Sequence, residues 1–223
     1  MHRMFLSRRL LPFVGSLPWL CAGSNGVEAQ SSAGNQDSTI TVTREEPVIT
    51  RTEFDPRRPP ANMPKLTPPE SGACDTTFEL GIGVGYSLEV PSPTTVNLWI
   101  DELDITTRLK INIFTQAGAP AKLRAHEEGH RQISEHYYRE AEASVRAAAR
   151  PLIGRMFAGV GADRKAAEQD AMRQITVLLE QGYMNRTRLR SIVANERFDE
   201  ITEHGLSSLD EAEAIAIAID AQR

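Results

Sequence analysis

The chain has 223 residues, of which 40% are hydrophobic and 25% are charged, so it contains enough apolar residues to fold around a core. This length suffices for one domain of ordinary size together with a leader and a tail. Only 6% of the residues are aromatic, and the formal net charge is −5. These values argue against a basic or aromatic surface that binds nucleic acid.

Residues 1–29 have the pattern of a secretory signal peptide. Arg3, Arg8 and Arg9 precede a short apolar stretch at 10–22, and Val27 and Ala29 lie at the positions that a signal peptidase recognises. The apolar stretch is too short, and too interrupted by proline, to span a membrane. We therefore expect a periplasmic or secreted protein that keeps no integral membrane segment after cleavage.

Cleavage after Ala29 would remove three arginines and one glutamate, which changes the formal net charge from −5 to −7. Such an acidic chain is a poor partner for nucleic acid or for an anionic membrane surface. Cleavage would also remove Cys21 and leave Cys74 without a second cysteine in the same chain, so no internal disulfide is expected.

Residues 30–73 form a polar lead-in with six prolines between positions 56 and 69. This composition is typical of a flexible, extended arm, to which 39–43 could add one short strand. Residues 74–223 are expected to be the folded domain. It begins with three runs of alternating apolar residues at 78–90, 96–100 and 105–113, which predict strands. Their short connections predict an antiparallel meander.

From Pro120 the apolar period becomes helical. One long helix is expected to end near Arg150, because Pro151 follows it. A second helix is predicted at 163–183, and a third one starts at a capping box formed by Ser208 and Glu211. Strands followed by helices indicate an α+β fold, with an N-terminal antiparallel β-meander before the helical part.

The predicted long helix carries the pattern His-Glu-x-x-His. His126 and His130 are four residues apart, so their side chains project from one helix face about one turn apart. Two such imidazoles can bind Zn²⁺, and Glu127 is placed to act as the general base for a zinc-activated water. Gly129 within a helix costs roughly 1 kcal/mol relative to alanine, which makes sense if another segment approaches closely there. The domain is therefore expected to be zincin-like, although solvated surface histidines remain the alternative.

A zinc site needs a third protein ligand, for which several residues compete. His136 would lie about 9 Å beyond His130 along a continuing helix, at about 1.5 Å per residue, and on another face. Glu168 or Glu180 on the next helix would complete a set of two histidines and one glutamate. His204 is preferred, because the glycine after it permits a sharp turn in the loop that we expect at 198–205. Asp199 is expected to orient a ligand imidazole as an outer-shell partner.

The chain resembles a bacterial domain-of-unknown-function family of predicted secreted zinc-dependent proteases. The resemblance spans about 76–206, but its specific motifs cover only the segment from His126 to Ile133 and the pattern formed by Phe198-Asp199, Thr202 and His204-Gly205. It implies histidine ligands at His126 and His130, a catalytic base at Glu127, and a site loop of the form Thr-x-His-Gly. The family commonly has tyrosine where this chain has Phe198, so a hydroxyl that could stabilise an oxyanion is missing.

These observations predict an exported zinc-dependent metallohydrolase, expected to be a peptidase acting on peptide or protein. The transition-state donor is left open between Tyr137, Tyr138, Tyr183 and an arginine. A second hypothesis is an envelope binding or assembly protein that holds zinc without turnover. A third is a metal-free helical interaction domain.

Overall fold

The structure is a computed structural model that describes Met4–Phe5, residues 39–66 and residues 70–220. Apart from Met4–Phe5, the expected signal peptide at 1–29 lies outside the described residues. The fold is α+β, as predicted. Its sheet consists of β1 (Met4–Phe5), β2 (Ile40–Arg44), β3 (Val48–Phe54), β4 (Gly72–Ser92), β5 (Thr95–Gln116) and β6 (Met156–Val160).

The sheet is open, with the order β1-β4-β5-β2, and both β3 and β6 also pair with β5. β2 and β3 run parallel to β5, with Ile40 opposite Leu103 and Val48 opposite Lys110. β6 runs antiparallel to the start of β5, with Val160 opposite Thr95. The predicted antiparallel meander is therefore wrong, because β5 forms parallel pairs with strands from a segment that precedes it in the sequence.

The runs at 96–100 and 105–113 are one strand rather than two. Along β5 the buried side chains occupy even positions up to Ile100 and odd positions from Leu103 to Ile105. The alternation shifts by one residue at Asp101 and Glu102. In the sequence this shift looks like a boundary between two strands, although the strand continues. The short strand that 39–43 could add is present as β2, whereas β3 was not expected in the polar lead-in.

Five α-helices follow in the described residues: α1 (Ala121–Tyr138), α2 (Ala141–Ala149), α3 (Arg164–Arg186), α4 (Arg188–Thr202) and α5 (Glu211–Asp220). The long helix expected up to Arg150 is thus interrupted between α1 and α2. A short 3₁₀ turn at Arg150–Leu152 contains Pro151. The residue that caps α5 is Asp210 rather than Ser208, because its Oδ1 accepts the backbone N–H groups of Ala212 and Glu213.

The chain divides into two compact units. The first comprises Met1–Arg44, Glu79–Thr107 and Glu142–Tyr183, and the second comprises Glu45–Phe78, Arg108–Ala141 and Met184–Arg223. In the second unit, α1, α4 and α5 pack around a core of Ile133, Tyr137, Ala194, Phe198, Ala214 and Ala218. No helix within the described part of the chain is long and apolar enough to cross a membrane.

Candidate metal centre

Helix α1 places both histidines of the motif on the face that packs against α4. His126 is only 3% exposed, and its ring meets that of His130 edge to face with 4.7 Å between the centroids. The i, i+4 spacing predicted that the two imidazoles would be adjacent, and the structure confirms it. The remaining members of the site come from α4.

Helix α4 presents Asn195, Phe198, Asp199 and Thr202 to the histidines at helical spacing. The expectation of a loop at 198–205 is wrong for 198–202, because these residues form the last turn of α4. Phe198 is fully buried and stacks on the His126 ring, with 4.9 Å between the centroids. A Cβ at Gly129 would collide with the Phe198 ring, so the glycine permits the close approach that its position in the helix predicted.

Three potential ligand atoms converge between α1 and α4. The Nε2 atoms of His126 and His130 are 3.2 Å apart, and they lie 3.1 and 3.0 Å, respectively, from Oδ1 of Asp199. These three side chains form a group that could hold a metal ion. Asp199 therefore contacts both histidines directly, which its expected outer-shell role did not require.

Asn195 fixes the orientation of His130. Its side-chain nitrogen lies 2.8 Å from the carbonyl oxygen of Ser191, which can only accept, so the amide N–H points there. The amide oxygen of Asn195 then faces Nδ1 of His130 at 2.8 Å and accepts its proton. In the neutral imidazole this arrangement leaves Nε2 of His130 unprotonated, with its lone pair towards Asp199.

Thr202 acts in the same way on His126. Its hydroxyl donates to the carbonyl oxygen of Phe198 at 2.6 Å, so Oγ1 is left to accept from Nδ1 of His126 at 3.4 Å. Nε2 of His126 therefore also presents a lone pair to Asp199. Two imidazole lone pairs and a carboxylate oxygen within about 3 Å of one another repel unless a proton or a cation lies among them.

The electrostatics of the group are dominated by burial and by the charges of its own members. Burial raises the pKa of Asp199, but its contacts with His126 and His130 lower it by more, so that pKa lies well below its usual range. Burial lowers the pKa of His130, but the hydrogen bond and charge of Asp199, assisted by Glu127, raise it overall. Asp199 is thus held as an anion, and its charge favours a positive charge beside it.

Glu127 lies beside this group but is not one of the three potential ligands. It is 4% exposed, and its carboxylate packs against Gly72 of β4, where an added Cβ would be 2.5 Å from Oε1. Burial raises the pKa of Glu127 to about 7, since the opposing effect of His130 is smaller and the charges of Asp199 and Glu70 add to it. A carboxyl group with this pKa can accept and release a proton near neutral pH.

A cavity of about 330 Å³ opens onto the histidines, Glu127 and Asp199. Its walls are the first residues of β4 and one face of α4, and every residue that lines it belongs to the second unit. Ala73, Cys74 and Phe78 contribute apolar surface, whereas Glu70, Arg188 and Glu196 are charged. Burial raises the pKa of Cys74 to about 12, with a smaller contribution from Glu127, so the thiol stays protonated and is a poor nucleophile.

His204, the expected third ligand, lies just beyond α4. Its Nδ1 is 3.7 Å from Oδ1 of Asp199, and its side chain is 47% exposed. It also lines the cavity. It does not belong to the group of three whose ligand atoms all lie within 4.8 Å of one another. The structure thus brings His204 to the site but places Asp199 closer to both motif histidines.

The other proposed ligands do not line the cavity. Helix α1 continues through His136, whose Nδ1 lies 3.1 Å from Nη2 of Arg139. Glu168 belongs to the first unit and forms an ion pair with Arg164. Glu180 is also in the first unit, and burial raises its pKa. Tyr137 and Tyr138 are buried and do not line the cavity.

Sequence reasoning missed Asn195 as a site residue, and it implied Thr202 only as part of the Thr-x-His-Gly loop, without its contact to His126. The available signal was the spacing of Asn195, Asp199 and Thr202, which places them on one face if the segment is helical. No family model, no curated protein and no solved structure matches this chain. Its function is therefore inferred from the site alone.

Proposed function

We propose that this chain is an exported zinc-dependent hydrolase of peptide bonds. In this proposal His126, His130 and Asp199 hold the zinc ion and Glu127 is the general base. The observation that carries the proposal is the convergence of two imidazole nitrogens and an Asp199 oxygen beside the buried carboxylate of Glu127. A protein gains no stability from such a cluster unless a cation compensates it.

The donor set suits zinc. Zinc accepts imidazole nitrogen and carboxylate oxygen at about 2.0–2.2 Å in a tetrahedral arrangement, in which ligand atoms are roughly 3.3 Å from each other. The three distances among the potential ligand atoms are 3.0, 3.1 and 3.2 Å. Three protein ligands leave a fourth position, as is typical of catalytic rather than structural zinc. Bound zinc supplies a Lewis acid that acidifies water and polarises a carbonyl.

The protein's own residues account for the proton transfers. Glu127, with its pKa near 7, takes a proton from the attacking water as the water oxygen bonds to the carbonyl carbon. It then delivers that proton to the leaving nitrogen when the C–N bond breaks. Asn195 and Thr202 keep the ligand imidazoles in the tautomer that presents Nε2, which is the usual role of such outer partners.

The cavity wall favours an extended substrate. Gly72, Ala73, Cys74, Thr76 and Phe78 of β4 border the cavity. Among the described residues, β4 pairs with β5 on one side. On its other side β1 pairs with Ser87 and Leu88, which lie at the end of β4 away from the cavity. A strand beside a catalytic group can bind an extended peptide through main-chain hydrogen bonds. This feature supports a peptide over other amides.

Substitution of Glu127 by glutamine tests the proposal. We expect Glu127→Gln to lower kcat for hydrolysis of a peptide library by about 10²–10⁴-fold, because the proton acceptor is lost. Zinc binding should persist, since Glu127 is not a ligand. Glu128→Gln is the matched control, because Glu128 is on the same helix but pairs with Arg51 and Arg131.

The same experiment separates the alternatives. Full activity in Glu127→Gln would contradict the role of the base. A wild-type protein that binds zinc but cleaves no peptide would instead support the envelope binding protein. Phe198 favours the envelope binding protein, because it carries no hydroxyl where the resembling family commonly has tyrosine.

A further inference from the structure

The proposed hydrolysis requires a donor for the carbonyl oxygen, which gains negative charge as water adds. Besides the ligand histidines, the described residues that line the cavity and carry a side-chain N–H are Arg188, Asn195 and His204. The Asn195 amide already donates to Ser191. Arg188 begins α4, 11 residues before Asp199, and is therefore about 16 Å away along the helix axis at 1.5 Å per residue. His204 remains.

The backbone holds His204 in an uncommon conformation. Glu203, His204 and Gly205 have φ angles of 49°, 57° and 82°, a run of three left-handed residues of which two are not glycine. The N–H of His204 donates to the carbonyl of Asp199 at 3.0 Å, and that of Ser207 donates to Thr202 at 2.8 Å. Such strain persists only where the surroundings impose it, and it is concentrated at functional sites.

Gly205 completes this turn by packing on a ligand. A Cβ at Gly205 would lie 3.1 Å from Cβ of His126, so the chain passes directly over that imidazole. The turn therefore fixes the His204 ring at the cavity while leaving 47% of the side chain exposed. The side chains of His126 and His130 are only 4% and 13% exposed. A buried ring suits a permanent ligand, whereas an exposed ring can meet a substrate.

We propose that His204 is a catalytic residue that donates a hydrogen bond to the substrate's carbonyl oxygen in the tetrahedral transition state, and that it is not a zinc ligand. The inference rests on the proposed function. Its Nδ1 is 3.7 Å from Asp199, too long for a hydrogen bond, so the ring is not locked onto the carboxylate. His204 donates this hydrogen bond without transferring its proton. The C=O π pair moves to the oxygen when water adds and returns when the C–N bond breaks.

The test is His204→Gly, because glycine has no side-chain N–H and adopts the left-handed backbone at this position freely. Glu203→Gly is the matched control, with nearly the same φ and no place in the cavity wall. We expect His204→Gly to lower kcat about 10²–10³-fold, the usual loss for one such donor. Zinc affinity, measured by competition with a chelator, should stay within about threefold of wild type. Glu203→Gly should change neither quantity.

Two results would overturn the inference. A fall in zinc affinity of about 100-fold would make His204 a ligand, and an unchanged kcat would remove it from catalysis. If the wild type binds zinc but cleaves no peptide, the proposed function fails while His204 can still be tested. Calorimetry with a phosphinic peptide, which presents a tetrahedral oxyanion, should then show binding weakened at least tenfold in His204→Gly. Equal binding would refute the donor.

Discussion

Two buried glutamates, one in each unit, show opposite solutions to the same problem. Glu168 on α3 is 5% exposed, and Glu127 on α1 is 4% exposed. Glu168 accepts a hydrogen bond from Nε of Arg164 at 2.7 Å, one helical turn away. Among the described residues, no lysine or arginine forms an ion pair with Glu127, and its charged neighbours are His130, Asp199 and Glu70.

The two units differ in how they compensate the charge of a buried carboxylate. The first unit neutralises its buried carboxylate with its own arginine, so the pair is complete without a ligand. The second unit gathers Glu127 and Asp199 with His126 and His130 at one cavity, where none of the described lysines or arginines forms an ion pair with Glu127. That arrangement costs folding free energy, which is reasonable where the group binds a cation or carries out proton transfer.

The largest expected effect is on the free energy of unfolding at alkaline pH, which Glu127→Gln and Glu168→Gln should change in opposite directions. The pKa of Glu127 is raised from 4.5 to about 7, so the folded protein retains a proton that the unfolded chain loses between these values. Stability is therefore lost as pH rises from about 4.5 to 7. At pH 8 in chelator, Glu127→Gln should raise the free energy of unfolding by about 3 kcal/mol, at roughly 1.4 kcal/mol per pKa unit.

Glu168→Gln provides the control, because it removes the ion pair between the buried Glu168 carboxylate and Arg164 and should lower the free energy of unfolding by about 1–2 kcal/mol at pH 8. Urea unfolding of both variants at pH 8 and at pH 4.5 measures these differences. The stabilisation by Glu127→Gln should vanish at pH 4.5. If Glu127→Gln destabilised the protein at pH 8 as Glu168→Gln does, the two glutamates would be equivalent and the comparison would be lost.

A smaller effect is expected from the partner of His130. Asn195→Leu removes the acceptor of the Nδ1 proton, so the imidazole loses its fixed tautomer and orientation. Zinc affinity should fall about 10–100-fold, the usual consequence of losing an outer partner of a ligand. Asn195→Asp retains an acceptor and should bind zinc nearly as well as wild type. Equal affinities for Asn195→Leu and wild type would show that Asn195 only packs against α1.

Local patterns predicted the parts of the site that lie on one helix. The spacing of His126 and His130 was enough to place the two imidazoles together, and Gly129 indicated a close approach that Phe198 now explains. No helix was predicted at α4, because its burial pattern runs against its hydrophobicity. It exposes Leu189 and Val193 and buries Ser191 and Thr202, together with polar contacts that face the histidines. A helix with one face against a polar site lacks a clear apolar stripe.

The prediction of the sheet's strand pairing failed for a different reason. Alternation shows that a segment is extended, but it does not show which strand lies beside it. The parallel pairing of β2 and β3 with β5 joins residues about 60 positions apart, such as Val48 and Lys110. Nothing within either segment encodes that partner. The phase shift at Asp101 and Glu102 also made one strand resemble two.

The central claim is that Asp199 joins His126 and His130 as a metal ligand, and zinc titration of the full chain tests it most directly. Competition with a chromophoric chelator should give one zinc per wild-type chain. Asp199→Asn should weaken that binding by more than about 100-fold, beyond the usual loss for an outer partner. Glu200→Gln, which alters an exposed neighbour that pairs with Arg197, should bind as wild type does. A wild-type chain without zinc, or unchanged affinity in Asp199→Asn, would contradict the account.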